Sequence, residues 1–296
     1  MKTFLLGVGC QKGGTTWLHR YLSMHPACDF GFRKEYHVFD ALWIRGAKTG
    51  KFYRSALADL ARRARRQAKR QDRETVERSG KAALQLQKAL QHVSFYTDPE
   101  NYADYFDWLH GSRPGLQLVG DITPSYNGLP AEKFAAIREM LERRGFRVKV
   151  IFLMRDPVER IYSATRMRIR DQQGKPGKQG KEPLAFFNKR FAWGDVEMRT
   201  RYEHTFGALD QAFAPEDVLY GFYETLFTDA EVRRITSFLG LEYIDPDFEA
   251  QVNASPRTAE LDSGSIAKVR SYYDATYQAA MARFGEDRIR AIWPHA

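Results

Sequence analysis

The sequence predicts an α/β fold, an open and mostly parallel β-sheet flanked by helices, and three observations predict it. Short apolar runs rich in β-branched and aromatic residues alternate with longer stretches of helical spacing. Two of those runs end in a turn that opens directly into a helix, the kind of crossover a parallel sheet requires. The run at 148–154 is apolar almost throughout, as a strand covered on both faces must be. With 296 residues, 43% of them hydrophobic, the chain can bury the core of one domain spanning 1–296, and residues 55–95 read as a helical insertion within it.

Residues 2–8 are the first buried strand. The apolar run is short, no small-residue cleavage site follows, and it leads straight into a Gly-rich turn, so it reads as a strand and not as a secretory leader. Residues 15–24 have helical spacing through Trp17, Leu18, Tyr21 and Leu22. The Arg- and Ala-rich stretch 55–91, which includes RRARRQAKRQDRE, has good helix formers and few breakers and predicts an exposed helix. Another helix starts after Asp98, where Asp-Pro supplies an N-cap and a first-turn proline, and it stops at Gly111. A strand at 116–120, a helix at 130–144, the central strand at 148–154 and a helix from 157 to about 170 follow. The Gly, Pro and Lys content of QQGKPGKQGKEP marks a surface loop. Helices at 196–213, 229–239 and 265–284 and a strand at 218–222 complete the pattern.

Composition narrows the function classes. Cys10 and Cys28 are too few for a disulfide framework and lack metal-ligand spacing, which points to a reducing compartment, the cytoplasm by default. No run approaches the roughly 18 apolar residues of a membrane span. The formal charge of +9 predicts attraction to anions, but does not separate nucleotide, acidic glycan, nucleic acid and membrane surface.

Two turns carry chemistry. At 9–18, GCQKGGTTWL joins strand to helix, so backbone N–H groups and the helix dipole converge on one point where a phosphate fits. Glycines allow close backbone approach, Thr15 and Thr16 add hydroxyls, and Lys12 adds positive charge. The loop is P-loop-like, but a Walker A sequence puts its lysine after the second glycine, and here Thr15 stands there. A ligand-free Gly-rich turn is the plain alternative. At 150–163, VIFLMRDPVERIYS is again a strand turning into a helix, with Arg155 at the strand's carboxyl end and Pro157 in the first helical turn. Arg155 is placed to meet an anion, or else to pair with Asp156 or Glu159. Ser163 lies about two turns into the helix and reaches the same ligand only if that ligand lies along the helix side.

QKGGTTWL resembles the 5′-phosphosulfate loop of sulfotransferases that use 3′-phosphoadenosine 5′-phosphosulfate (PAPS), and the second turn resembles the 3′-phosphate motif of that family. The resemblance implies that Lys12, Gly13, Gly14, Thr15, Thr16 and Trp17 hold the 5′-phosphosulfate, with Lys12 on the bridging oxygen, and that Arg155 and Ser163 hold the 3′-phosphate. VNASPR at 252–257 resembles the family's late nucleotide loop without its usual Arg-Lys-Gly form, and makes Arg257 a further 3′-phosphate candidate. RKEYHVFD at 33–40 resembles the K-E-x-H-x-F segment of Golgi-type and heparan sulfate carbohydrate sulfotransferases and their bacterial relatives. It implies Glu35 as catalytic base with Lys34 beside it, and His37 as the rival base. The segment 120–126 resembles the T-P-x-Y stretch that faces the acceptor, so Asp121 and Tyr126 are candidate substrate contacts, although Gly-Asp stands where many relatives have Glu-Lys. Lys175, Lys178 and Lys181 suggest a basic lid over an anionic acceptor or a solvated loop. The implied reaction moves a sulfuryl group from PAPS to a hydroxyl or amine of a glycan or small-molecule acceptor. It needs no metal, and no nucleic-acid partner is expected. The alternatives are a nucleotide-dependent kinase of similar fold and a polyanion-binding module built on the basic stretch Arg62 to Arg73.

Overall fold

Side chains alternate across each strand, and here both faces of the strands are apolar, so one sheet supports two cores. The computed structural model describes residues 2–44, 49–70, 76–172, 182–249 and 260–296. Five strands, β1 (Thr3–Gly9), β2 (Cys28–Asp29), β3 (Leu118–Ile122), β4 (Arg147–Met154) and β5 (Val218–Phe222), form one parallel sheet in the order β2-β3-β1-β4-β5. Phe4, Leu6 and Val8 of β1 and Val150, Phe152 and Met154 of β4 enter one core, while Leu5, Ile151 and Leu153 enter the other. That two-sided burial is why 148–154 reads as a continuous apolar run.

The helices follow in chain order. α1 (Thr15–Met24) leaves β1, and α2 (Val38–Trp43) follows β2. α3 (Thr49–Arg70) and α4 (Val76–Thr97) pack on each other, with Arg63 donating to Gln85 at 3.1 Å, where the sequence predicts the helical insertion. Arg62 and Arg63 both bind Asp59 (3.0 and 2.7 Å), so part of this basic run is neutralised along its own helix. α5 (Glu100–Gly111), a 3₁₀ turn (Pro124–Gly128), α6 (Ala131–Glu142) and α7 (Pro157–Arg170) surround β3 and β4 in sequence. Then come α8 (Pro183–Arg190), α9 (Gly194–Glu197), α10 (Tyr202–Ala212), α11 (Asp229–Leu239), α12 (Ser263–Tyr272), α13 (Asp274–Phe284) and α14 (Glu286–Ile292).

Two predicted helices are divided. The stretch 196–213 opens into a turn between α9 and α10, and 265–284 breaks at Tyr273, whose hydroxyl donates to the Phe191 carbonyl at 2.6 Å. Tertiary anchoring outweighs helical spacing there. The two-residue edge strand β2 and the short helices α8 and α14 carry too little periodicity to be read in advance.

α1 and α11 cover one face of the sheet through Trp17, Leu18, Tyr21, Val232 and Ile235. α5, α6 and α10 cover the other through Tyr102, Phe106, Ile137, Phe206 and Leu209. Because β1 is central, the chain leaves it toward β2 on one side and later crosses to β4 on the other. The carboxyl ends of β1 and β4 therefore flank a topological switch point, where an open α/β sheet offers its ligand crevice. Cys10 and Cys28 are both free and buried. No helix among the described residues is long and apolar enough to cross a membrane.

Candidate active site

The first turn is shaped as a cradle. Lys12 (φ 74°) and Gly14 (φ 92°) are left-handed, a conformation that costs a lysine energy and turns successive N–H groups toward one concavity. Gly13 donates to the Cys10 carbonyl at 2.9 Å, and a Cβ there would lie 2.9 Å from Cys10 Sγ and 3.0 Å from the Leu153 carbonyl oxygen. Only glycine packs the loop this closely onto the end of β4. Gly14 N-caps α1 with no side-chain cap, so the helix presents its N-terminal donors unshielded. Burial, then the charges of Arg155, Arg170 and Arg166, lower the Lys12 pKa to about 8.

The second turn meets the first. Asp156 N-caps α7 by accepting from the Glu159 N–H at 3.0 Å, and its carboxylate also takes the Tyr277 hydroxyl (3.2 Å) and the His295 N–H (3.1 Å). That anchoring sets Arg155 at the end of β4, where its guanidinium reaches the Lys12 carbonyl (3.5 Å), pairs with Glu159 (3.3 Å) and lies 4.2 Å over the Tyr223 ring. Tyr202 ties the turns together, donating to the Arg155 carbonyl at 2.8 Å and touching Cys10 Sγ at 3.4 Å. Arg155 Nε is buried without a partner among the described residues. Ser163 is buried two turns into α7.

A cavity of about 450 Å³ opens beside Arg155, lined by Glu159, Tyr223, Glu224, Phe227 and His295 among others. Tyr223 and Glu224, absent from the sequence prediction, follow β5 immediately, so the rule that strand ends carry the site points to them as it does to Arg155. Glu224 accepts from the Asp156 N–H at 2.9 Å, and burial pushes its pKa up to about 7. The Trp17 side chain is buried, with its ring stacked between Tyr21 (5.6 Å) and Phe248 (5.7 Å) and its indole N–H donating to the Asp247 carbonyl, while its backbone lies in the first turn of α1. Arg257 and the lysines of 173–181 lie outside the described residues.

The third segment presents two side chains and buries their neighbours. The Tyr36 N–H binds Thr123 Oγ1 (3.1 Å) and the Val38 N–H binds the Tyr126 hydroxyl (3.2 Å). Asp121 holds this seat together, accepting from Thr123 (2.7 Å), Tyr126 (2.8 Å) and Tyr102 (3.2 Å). Asp121 and Tyr126, the two expected substrate contacts, are fully buried and bind the backbone of the segment. Burial raises the Asp121 pKa to about 6, against the hydrogen bonds from Thr123 and Tyr126.

Beside the pinned backbone positions Tyr36 and Val38 stand Glu35 and His37, half-buried, in one hydrogen-bonded chain. Lys34 binds Glu35 at 2.6 Å, Glu35 binds His37 Nε2 at 3.1 Å, and His37 Nδ1 binds Asp40 at 2.8 Å. Burial would raise the Glu35 pKa, but the His37 hydrogen bond and the Lys34 charge overcome it and bring it down to about 2. Burial likewise opposes the charged form of His37, and the Asp40 and Glu35 contacts overcome it and raise its pKa to about 9. At neutral pH Glu35 is therefore an anion and His37 a cation. Among the described residues, no group of three or more His, Cys, Asp or Glu side chains is arranged to hold a metal ion.

A model of the sulfotransferase family matches residues 5–245. Among solved structures, a sulfotransferase from Alicyclobacillus acidocaldarius is 18% identical, with 95% of each chain covered and a TM-score of 0.58. The sulfotransferase domain of the Synechococcus PCC 7002 olefin synthase is also 18% identical, over 92% of this chain and 94% of that one, with a TM-score of 0.46. No curated protein matches the chain.

Proposed function

The chain belongs to the sulfotransferase family, and from that premise we propose that it transfers a sulfuryl group from PAPS to a hydroxyl, or an amine, of a glycan or small-molecule acceptor. The observation that carries the reading is the meeting of the two turns at Lys12, where Arg155 reaches the loop carbonyl while its own Nε stays unpartnered among the described residues. One ligand with two separated anionic groups fits that junction: the cradle at the α1 N-terminus takes the 5′ end, and Arg155 with Ser163 takes the 3′-phosphate. When bound, PAPS supplies the sulfuryl group. Sulfuryl transfer resembles loose phosphoryl transfer, in which charge stabilisation of the leaving oxygen contributes most, and Lys12 is the charge placed to do so.

Glu35 is the base in this reading. Its low pKa keeps it ionised at rest, and an acceptor hydroxyl that displaces Lys34 or His37 from a carboxylate oxygen removes part of what makes it so weak a base. His37, held charged by Asp40 and Glu35, orients the carboxylate and is a poor proton acceptor below about pH 9. The resemblance of 33–40 to carbohydrate sulfotransferases inclines the acceptor toward a sugar or another alcohol. A kinase of similar fold would depend on a lysine after the second glycine, and this chain has Thr15 there.

Calorimetry with 3′-phosphoadenosine 5′-phosphate (PAP) and with 5′-AMP tests the donor site. The native protein should prefer PAP by roughly tenfold or more, and Arg155→Ala should abolish the preference. No measurable affinity for PAP would end this reading.

A further inference from the structure

Beyond the donor cradle lies a group of arginines that neither turn uses. Arg160 of α7 is 0% exposed and Arg190 at the end of α8 is 4% exposed. Arg160 donates to Thr200 Oγ1 (2.6 Å) and the Val196 carbonyl (3.3 Å), yet its Nε and Nη1 have no partner among the described residues. Arg190 has a 3.7 Å ion pair with Asp195, while its Nε and Nη1 are likewise unpartnered among the described residues. Arg199 donates to Ser125 Oγ (3.1 Å) and the Asp195 carbonyl (2.6 Å) and leaves a buried Nε over, and Arg168 leaves its Nε over as well.

Of these four guanidinium groups, Arg190 pairs with the Asp195 carboxylate and Arg199 feels its charge. Burial, then the charges of Arg168, Arg160 and Arg199, lower the Arg190 pKa to about 10 against the opposing charge of Asp195. Burial and Arg160 lower the Arg199 pKa too, and the charges that oppose this are those of Asp195, Asp40 and Glu35. A buried, undercompensated cluster of this kind costs free energy unless an anion completes it. Its position names the anion's source. Arg199 holds Ser125, in the 3₁₀ turn that follows the seat of the Glu35 segment, and lies within the field of Glu35 itself. Arg199 therefore stands on the acceptor side, while the charge of Arg160 reaches Cys10 of the donor loop.

We propose that the acceptor carries an oxyanion of its own, a carboxylate or a sulfate or phosphate ester, bound by Arg199 with Arg190 and Arg168 beside the hydroxyl that Glu35 deprotonates. Arg160, fully buried, adds field without contact. The proposal rests on the sulfotransferase reading only for the word acceptor; the anion site stands on the arginines. Planar forks with free N–H donors suit bidentate capture of an oxyanion, so Arg199 is a specificity determinant that sets which hydroxyl compound is held.

Sulfate, phosphate and acetate are titrated at constant ionic strength into protein already saturated with PAP, with thermal unfolding as readout and chloride as reference. The expected result is a saturating rise in Tm of about 2 °C or more with at least one oxyanion. Arg199→Gln should weaken that response by roughly tenfold while leaving PAP affinity unchanged, and Arg199→Lys should restore part of it. The sulfate and phosphate arms against the acetate arm tell an ester group from a carboxylate. A response no greater than that of chloride, or an Arg199→Gln variant that responds as the native protein does, overturns the proposal. If PAP does not bind, the donor reading fails, and the comparison of native protein with Arg199→Gln in sulfate alone still decides the anion site.

Discussion

Lys12 combines a left-handed backbone with a pKa lowered to about 8. Lys12→Ala should lower kcat by about 10²–10³-fold, the magnitude of losing one preorganised charge at the leaving oxygen, with a much smaller change in PAP affinity measured by calorimetry. Because the lysine loses its proton near pH 8 in the free enzyme, kcat/KM should fall as pH rises through that value, and Lys12→Arg should carry the decline to higher pH. Glu35→Gln should cost about 10²–10⁴-fold in kcat, with His37→Ala costing less; near-normal turnover in the glutamine variant would transfer the role of base to His37. Lys12, Glu35, His37 and Arg155 were legible in the sequence because each sits at a strand end or in a local motif. Arg199 was not, since its neighbour Ser125 comes from far along the chain, whereas Tyr223 was missed although it stands at the end of β5, where the strand-end rule points. Asp121 and Tyr126 were found, but their burial depends on how Tyr36 and Val38 dock, which no spacing records.

The strand-to-helix turns show what an element contributes that its residues do not. Gly13 brings the cradle against Cys10 and the Leu153 carbonyl, so a single methyl group there pushes the loop away from the end of β4. Gly13→Ala should weaken PAP binding by roughly tenfold, about 1.4 kcal/mol, with native circular dichroism, because the displacement falls on the turn at the end of β4 and leaves the strand pairing in place. Long periodic elements such as α7, α11 and β5 follow the sequence closely. The breaks at Tyr273 and between α9 and α10 do not, because there a side chain's distant partner decides where the helix stops.

Over the whole molecule, the chain Lys34–Glu35–His37–Asp40 couples the candidate site to stability. The His37 pKa is raised from 6.5 to about 9 in the folded state, so its stabilising contribution is complete below about pH 6.5 and is lost as pH rises through about 9. Thermal unfolding from pH 6 to 10 should show this decline in the native protein and a flatter profile in His37→Gln. The parallel sheet order was legible only as a class, since which strands neighbour which is set by crossovers that pair β1 with both β3 and β4. The two cysteines have a practical consequence at this scale. Both thiols are buried, and burial raises the pKa of each, that of Cys28 to about 12, so neither offers a thiolate to a maleimide while the fold is intact. A single cysteine introduced at an exposed position, such as Trp108→Cys on α5, would take a fluorophore alone, and the native sequence can serve as its own blank for distance measurements by energy transfer.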